Sequence, residues 1–168
     1  MKLRRYVRPE MIKVPFDTRE EELDPEIPDG KRIRLLKEGI LLEMAELLAG
    51  SGRVGSVKKL YTDLYNREKK ATTAIGGGIM MPHVRTMQAK ELVIGVGVSP
   101  EGLDIGAMDE EPVHVVLSLV APPHDDRTYL RVVKRIVELF ADEGNGLREE
   151  LRSARSPEDV VHAMSGLE

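Results

Sequence analysis

Arg67-Glu68-Lys69-Lys70-Ala71-Thr72-Thr73-Ala74-Ile75-Gly76-Gly77-Gly78-Ile79-Met80-Met81-Pro82-His83-Val84-Arg85 is the stretch across which the period of the chain changes. Upstream, apolar residues recur at steps of three and four. Ile33, Leu36, Ile40, Met44, Leu47 and Leu48 form the stripe of an amphipathic helix over Lys31 to Ala49, which Gly50-Ser51-Gly52 ends. Val57, Leu60, Leu64 and Tyr65 continue the pattern behind Ser56, a residue type suited to capping a helix. Downstream come short β-branched runs, Val93 to Val98 and Val113 to Val120, bounded by Gly and Pro as buried strands are. Ile79-Met80-Met81, inside the stretch itself, is a candidate third strand.

Helical periodicity returns at Leu130, Val133, Ile136, Val137 and Phe140, behind Asp125 or Asp126 as a cap and ahead of Gly144-Asn145-Gly146 as a stop. After a short segment from Leu147 to Ala154, Ser156-Pro157-Glu158-Asp159 starts a last helix: a Ser cap, Pro at the first position, then acids at the positive dipole end. Helices, then strands, then helices, with no internal repeat, predict a single α/β domain whose small mixed sheet is flanked by helices. The first thirty residues differ in texture. They carry Pro9, Pro15, Pro25, Pro28 and the acidic run Glu20-Glu21-Glu22, and read as an extended arm around one apolar stretch, Met11 to Phe16. The expected division is an arm over 1–30 and the domain over 31–168.

Composition narrows the chemistry. The 168 residues, 41% hydrophobic, suffice for one substantial core and are short for two. With 25 Lys+Arg against 29 Asp+Glu the formal net charge is -4, which argues against wrapping a nucleic-acid duplex. Aromatics at 4% and the absence of Trp leave no stacking platform for single strands, so no nucleic-acid partner is expected. Having no Cys removes disulfides, thiol nucleophiles and thiolate metal sites together. No apolar run approaches the roughly 20 residues that cross a bilayer, and Met1 to Tyr6 lacks a signal-peptide core, so a cytoplasmic protein without membrane insertion is expected.

Covalent catalysis must then use oxygen or nitrogen, and the opening stretch supplies both. Thr72-Thr73 and Gly76-Gly77-Gly78 offer hydroxyls and backbone N–H groups of the kind that make anion-binding concavities. His83, after a proline, offers a nitrogen nucleophile, and Arg67 and Arg85 are candidate planar cations for phosphate. Phosphoryl transfer asks for little beyond in-line positioning and stabilisation of charge on the equatorial oxygens. Taken singly, these are ordinary features: a glycine triplet most often makes a turn, and a lone Pro-His most often packs or sits in solvent. The glycines fit neither a dinucleotide fingerprint nor a P-loop.

As a whole, the segment resembles the type-2 enzyme IIA family, the fructose-, mannitol- and nitrogen-related branch of the bacterial phosphotransferase system. The resemblance lies in Arg67-Glu68, Thr72-Thr73, Ile75-Gly76, Gly78-Ile79 and Pro82-His83 without a gap. It continues through Val93-Ile94-Gly95-Val96, Gly102-Leu103-Asp104-Ile105, Asp109-Glu110-Glu111-Pro112-Val113, Ala121-Pro122, the Leu130 helix and the Ser156 helix start, covering roughly Lys31 to Met164. It implies a mannitol-type enzyme IIA fold. It implies further that His83 accepts a phosphoryl group from an HPr-like phosphocarrier, and passes it to a IIB-type component or uses it as a regulatory signal, with no dissociable cofactor. Arg67 falls at the family's active-site arginine and Thr73 at the hydroxyl beside the imidazole. Tyr129 falls where the family usually has a second histidine, and a phenol with a pKa of about 10 supplies no cation near neutral pH. Met80 replaces a residue that is generally a small Ala.

The other histidines have weaker claims. His124 reads as a solvated loop residue, His114 lies within a strand and His162 on the last helix. The four histidines make no metal-ligand spacing, and no metal is expected. Asp109-Glu110-Glu111 reads as a charged turn. The expected function is therefore phosphoryl carriage on His83. The Tyr129 replacement keeps open a regulatory binding module that retains the fold without efficient turnover, and, as a third reading, a small anion-binding domain.

Overall fold

The computed structural model describes residues 2–165. Along the chain run β1 (Ile12–Lys13), α1 (Asp29–Ala49), α2 (Val57–Lys70), β2 (Ala74–Gly76), β3 (Ile79–Met80), β4 (His83–Arg85), β5 (Val93–Leu103), β6 (Val113–Ala121), α3 (Asp126–Ala141), α4 (Leu147–Arg152) and α5 (Pro157–Ser165). The caps read from the sequence are made. Ser56 Oγ accepts from Lys59 N at 3.2 Å, Asp125 from Thr128 N at 3.4 Å, and Ser156 Oγ from Asp159 N at 3.2 Å.

The strands form one mixed sheet in the order β1-β5-β6-β3-β2, and β4 also pairs with β6. β5 and β6 are antiparallel, whereas β3 and β4 both run parallel to β6, one after the other along its length. Helices cover both faces. Ile94, Val96, Val98, Val115, Leu117 and Leu119 point to α3, α4 and α5, and Val93, Val116 and Val120 to α1 and α2. Burial on both faces is why β5 and β6 read as continuous apolar runs with no alternation. A single α/β domain with a mixed, helix-flanked sheet is thus observed.

Two further points shape the core. On β5, a methyl group at Gly95 would stand 3.2 Å from Leu48 and Met44 of α1, and one at Gly97 would fall within the ring of Phe16. These glycines let α1 and Phe16 approach the sheet backbone. The N-terminal segment also contributes to the interior: Leu3, Val7, Met11, Ile12 and Phe16 are buried, and β1 adds a parallel edge to β5. Glu43 of α1 ties this segment down. Its carboxylate accepts from Asp17 N at 2.7 Å, Thr18 N at 2.8 Å and the Thr18 hydroxyl, and meets Lys13 Nζ at 2.9 Å.

Candidate active site around His83

β4 is pinned to the C-terminal end of β6, with His83 opposite Leu119 and Arg85 opposite Ala121. This leaves His83 half-buried at the sheet's end. Its Nδ1 lies 2.7 Å from the carbonyl oxygen of Met81. A carbonyl only accepts, so Nδ1 carries the hydrogen of this bond and Nε2 keeps its lone pair. Burial pushes the imidazole pKa below its ordinary 6.5. The bond to Met81 opposes that fall, nearby Arg67 adds to it, and Glu68 opposes it. The ring is therefore neutral near pH 7, as a nitrogen nucleophile must be.

A continuous set of hydrogen bonds holds that ring. Met81 N donates to Thr73 O at 2.8 Å, while Thr73 N and Oγ1 donate to Glu68 Oε2 at 2.9 and 2.5 Å. The other oxygen of Glu68 faces Lys37 Nζ of α1 at 3.1 Å. Glu68 is buried, and burying a carboxylate is costly unless it is paired and hydrogen-bonded as here. Sequence reasoning matched Glu68 within a motif and gave it no task. Thr73, expected beside the imidazole, is buried with its hydroxyl hydrogen committed to Glu68, and its link to His83 runs through the Met81 backbone.

Arg67, His83, Val84, Arg85, Pro123 and Tyr129 line an open pocket of about 520 Å³. The Tyr129 ring lies 6.3 Å from the imidazole, centroid to centroid, at 35°. Arg85 stands over the Tyr129 ring at 5.5 Å and pairs with Asp126. Arg67 Nη1 donates to Ala71 O at 3.0 Å across the end of α2. Burial raises the Tyr129 pKa above its ordinary 10.0 despite Arg85 and Arg67, so the phenol keeps its proton and donates one hydrogen bond. Two guanidinium groups, a phenol and a free imidazole nitrogen thus face one cavity, a donor set suited to a phosphoryl group.

The glycine triplet does not belong to this pocket. Gly76, Gly77 and Gly78 have φ of 88°, 63° and 80°, a left-handed run that only glycine adopts freely, and turn β2 into β3. Gly78 O accepts from His114 N and Val115 N at the start of β6, whereas His83 pairs near its end. Gly77 N donates to Asp109 Oδ2 at 2.8 Å, and that bond, with one from Glu111 N, holds the Asp109 pKa below the usual carboxylate value. A carboxylate fills the turn, so the expected cradle for phosphate is replaced by an internal Asp contact. Thr72 likewise closes a local turn, its hydroxyl accepting from Ala74 N at 3.3 Å.

The remaining histidines also stand apart. His114 is buried with Nδ1 2.9 Å from Ser99 O, and His124 and His162 are exposed. Among the described residues no group of three or more His, Asp or Glu could hold a metal, and no helix is long and apolar enough to cross a membrane.

Residues 33–166 match the family model described as "Phosphoenolpyruvate-dependent sugar phosphotransferase system, EIIA 2". The chain belongs to this type-2 enzyme IIA family. Over 125 residues it is 29% identical to the fructose-specific EIIABC component of Bacillus subtilis, covering 74% of this chain and 19% of that protein. Over 129 residues it is 29% identical to the fructose-specific EIIA component of Haloferax volcanii, covering 77% and 82%. The chain therefore spans about a fifth of the multicomponent relative and most of the single-component one. The fold is that of solved enzymes IIA. The nitrogen regulatory protein IIA-Ntr of Neisseria meningitidis superposes with a TM-score of 0.73 at 20% identity, over 95% of this chain and 97% of that one. Escherichia coli IIA mannitol, solved in complex with phosphorylated IIB mannitol, gives 0.66 at 19% identity over 94% and 95%.

Proposed function

We propose that the chain is a phosphoryl carrier that takes phosphate on Nε2 of His83. The observation that carries this reading is the His83 Nδ1 to Met81 carbonyl bond, which leaves one ring nitrogen with a lone pair at a pocket bearing Arg67, Arg85 and Tyr129. In the transfer, the Nε2 lone pair forms a bond to phosphorus as the N–P bond of a donor phosphohistidine breaks. The electron pair returns to the donor's ring nitrogen, and the His83 Nδ1 proton stays on Nδ1, donated to the Met81 carbonyl oxygen. Arg67 and Arg85 offset charge on the equatorial oxygens and Tyr129 donates to one of them. Thr73 and Glu68 fix the ring through Met81.

The donor in this reading is an HPr-like phosphocarrier in the cytoplasm. The recipient is a IIB-type component, the class of partner held by the IIA mannitol neighbour, or a regulatory target. To test it, the protein is incubated with enzyme I, HPr and radiolabelled phosphoenolpyruvate. Acid-labile, base-stable label on the wild type that is lost in His83→Ala is expected. No label with any cognate carrier would overturn the proposal and leave the second reading, a regulatory module without turnover. That reading is favoured by Tyr129, which brings no titratable cation to the imidazole.

A further inference from the structure

The His83 pocket opens into a larger groove of about 770 Å³ along the outer side of α2, and the two share Arg67, Val84, Arg85 and Pro123. The groove is lined by five cations, Lys58, Lys59, Arg67, Lys70 and Arg85, against one carboxylate, Asp63, which already accepts from the Thr86 hydroxyl at 2.6 Å. In a chain of net charge -4 this is a local excess. Among the described residues Arg85 is the one groove cation with a carboxylate partner; Arg67 donates to a backbone carbonyl, and Lys58, Lys59 and Lys70 form no ion pair. Met87, 84% exposed, lies along the same groove.

We propose that this groove docks the protein that exchanges phosphate with His83, and that the partner presents an acidic face to Lys58, Lys59 and Lys70. The proposal rests on the phosphoryl-carrier reading and adds the partner's surface chemistry. Charge complementarity names the occupant. Small-molecule sites are mostly enclosed, whereas this groove is open, carries its cations along one helix and leads to the reactive histidine. Unpaired rim cations raise the rate of encounter and leave dissociation fast, which a relay that must release its partner after each transfer requires. Arg67 and Arg85 stand at the junction, so a partner seated on α2 delivers its reactive group to Nε2.

The test uses the full chain with Lys58→Glu/Lys59→Glu and, separately, Lys70→Glu, exposed positions outside the pocket around His83. Binding of the unphosphorylated carrier is followed by calorimetry, transfer from the phosphorylated carrier by label, and docking-free labelling with phosphoramidate, a small phosphoryl donor. At about 50 mM salt the double variant binds and accepts phosphate roughly tenfold less well, and the gap closes toward about 500 mM salt as screening shortens. Phosphoramidate labelling is unchanged. Carrier affinity within twofold of wild type in the double variant overturns the docking surface. Inorganic phosphate is titrated into the same proteins, and phosphate binding to wild type that is lost in the double variant while carrier binding stays intact also overturns it, assigning the groove to a small anion. Failure of phosphoramidate to label wild-type His83 counts instead against the carrier reading, while the calorimetry still decides the docking.

Discussion

His83 and Tyr129 line one pocket with their rings 6.3 Å apart, and each is held in a single protonation state. The imidazole is held neutral by burial and the phenol is held protonated by burial, so neither changes state across the neutral range. The labelling rate should be flat from about pH 7 upward and fall as pH drops through the lowered His83 pKa, below the ordinary 6.5, where Nε2 takes a proton. Tyr129→His should add a cationic donor and speed labelling by about tenfold at pH 6, with the advantage fading above about pH 7 as the new imidazole deprotonates. Stopped-flow transfer across pH measures both; an equal or slower rate in the variant would show that Arg67 and Arg85 already suffice. At this scale the sequence named His83, Arg67, Arg85 and Tyr129, which the structure brings to one pocket. It did not disclose the role of Glu68, because its partners, Lys37 and Thr73, are brought to it by packing and leave no local pattern.

Among the elements, α1, α2, α3, α5 and the two long strands were legible because each spans more than one period and is bounded by a cap or a stop, whereas the six-residue α4 was read only as a short segment. β1, β2 and β4 have two or three residues each and show no period. That gap explains the misplaced glycine turn. Sequence order sets Gly76 to Gly78 a few residues from His83, but β3 and β4 pair with successive parts of β6 and carry them to opposite ends of it. Gly95 and Gly97 were quoted within a strand with no reason for glycine. The reason is α1 and Phe16, which are remote in sequence. Gly97→Ala should cost about 1–3 kcal/mol by overpacking. Combined with Phe16→Leu, the loss should fall short of the sum of the two by at least about 0.5 kcal/mol. Urea midpoints of the two single variants and the double measure this, and strict additivity would show that the ring is not what excludes the methyl.

In the whole molecule, the N-terminal segment bears on the core from outside the strands and helices that the sequence made plain. Its proline and charge content hid the fact that Leu3 and Val7 are buried along with Met11, Ile12 and Phe16. Five such side chains at about 1.5–3 kcal/mol each rival the whole stability of a domain, about 5–15 kcal/mol. Deleting residues 2–17 should therefore abolish a cooperative urea transition; a midpoint close to that of the full chain would show the segment to be dispensable. The placement of the aromatic residues gives the molecule one more property. With four Tyr and no Trp, and with Tyr61 and Tyr65 stacked on each other at 5.9 Å, Tyr129 is the one phenol that looks onto His83. Its ultraviolet emission should therefore change when a charged group is placed on the imidazole, a change that comparison with Tyr129→Phe isolates from the other three tyrosines without any attached dye.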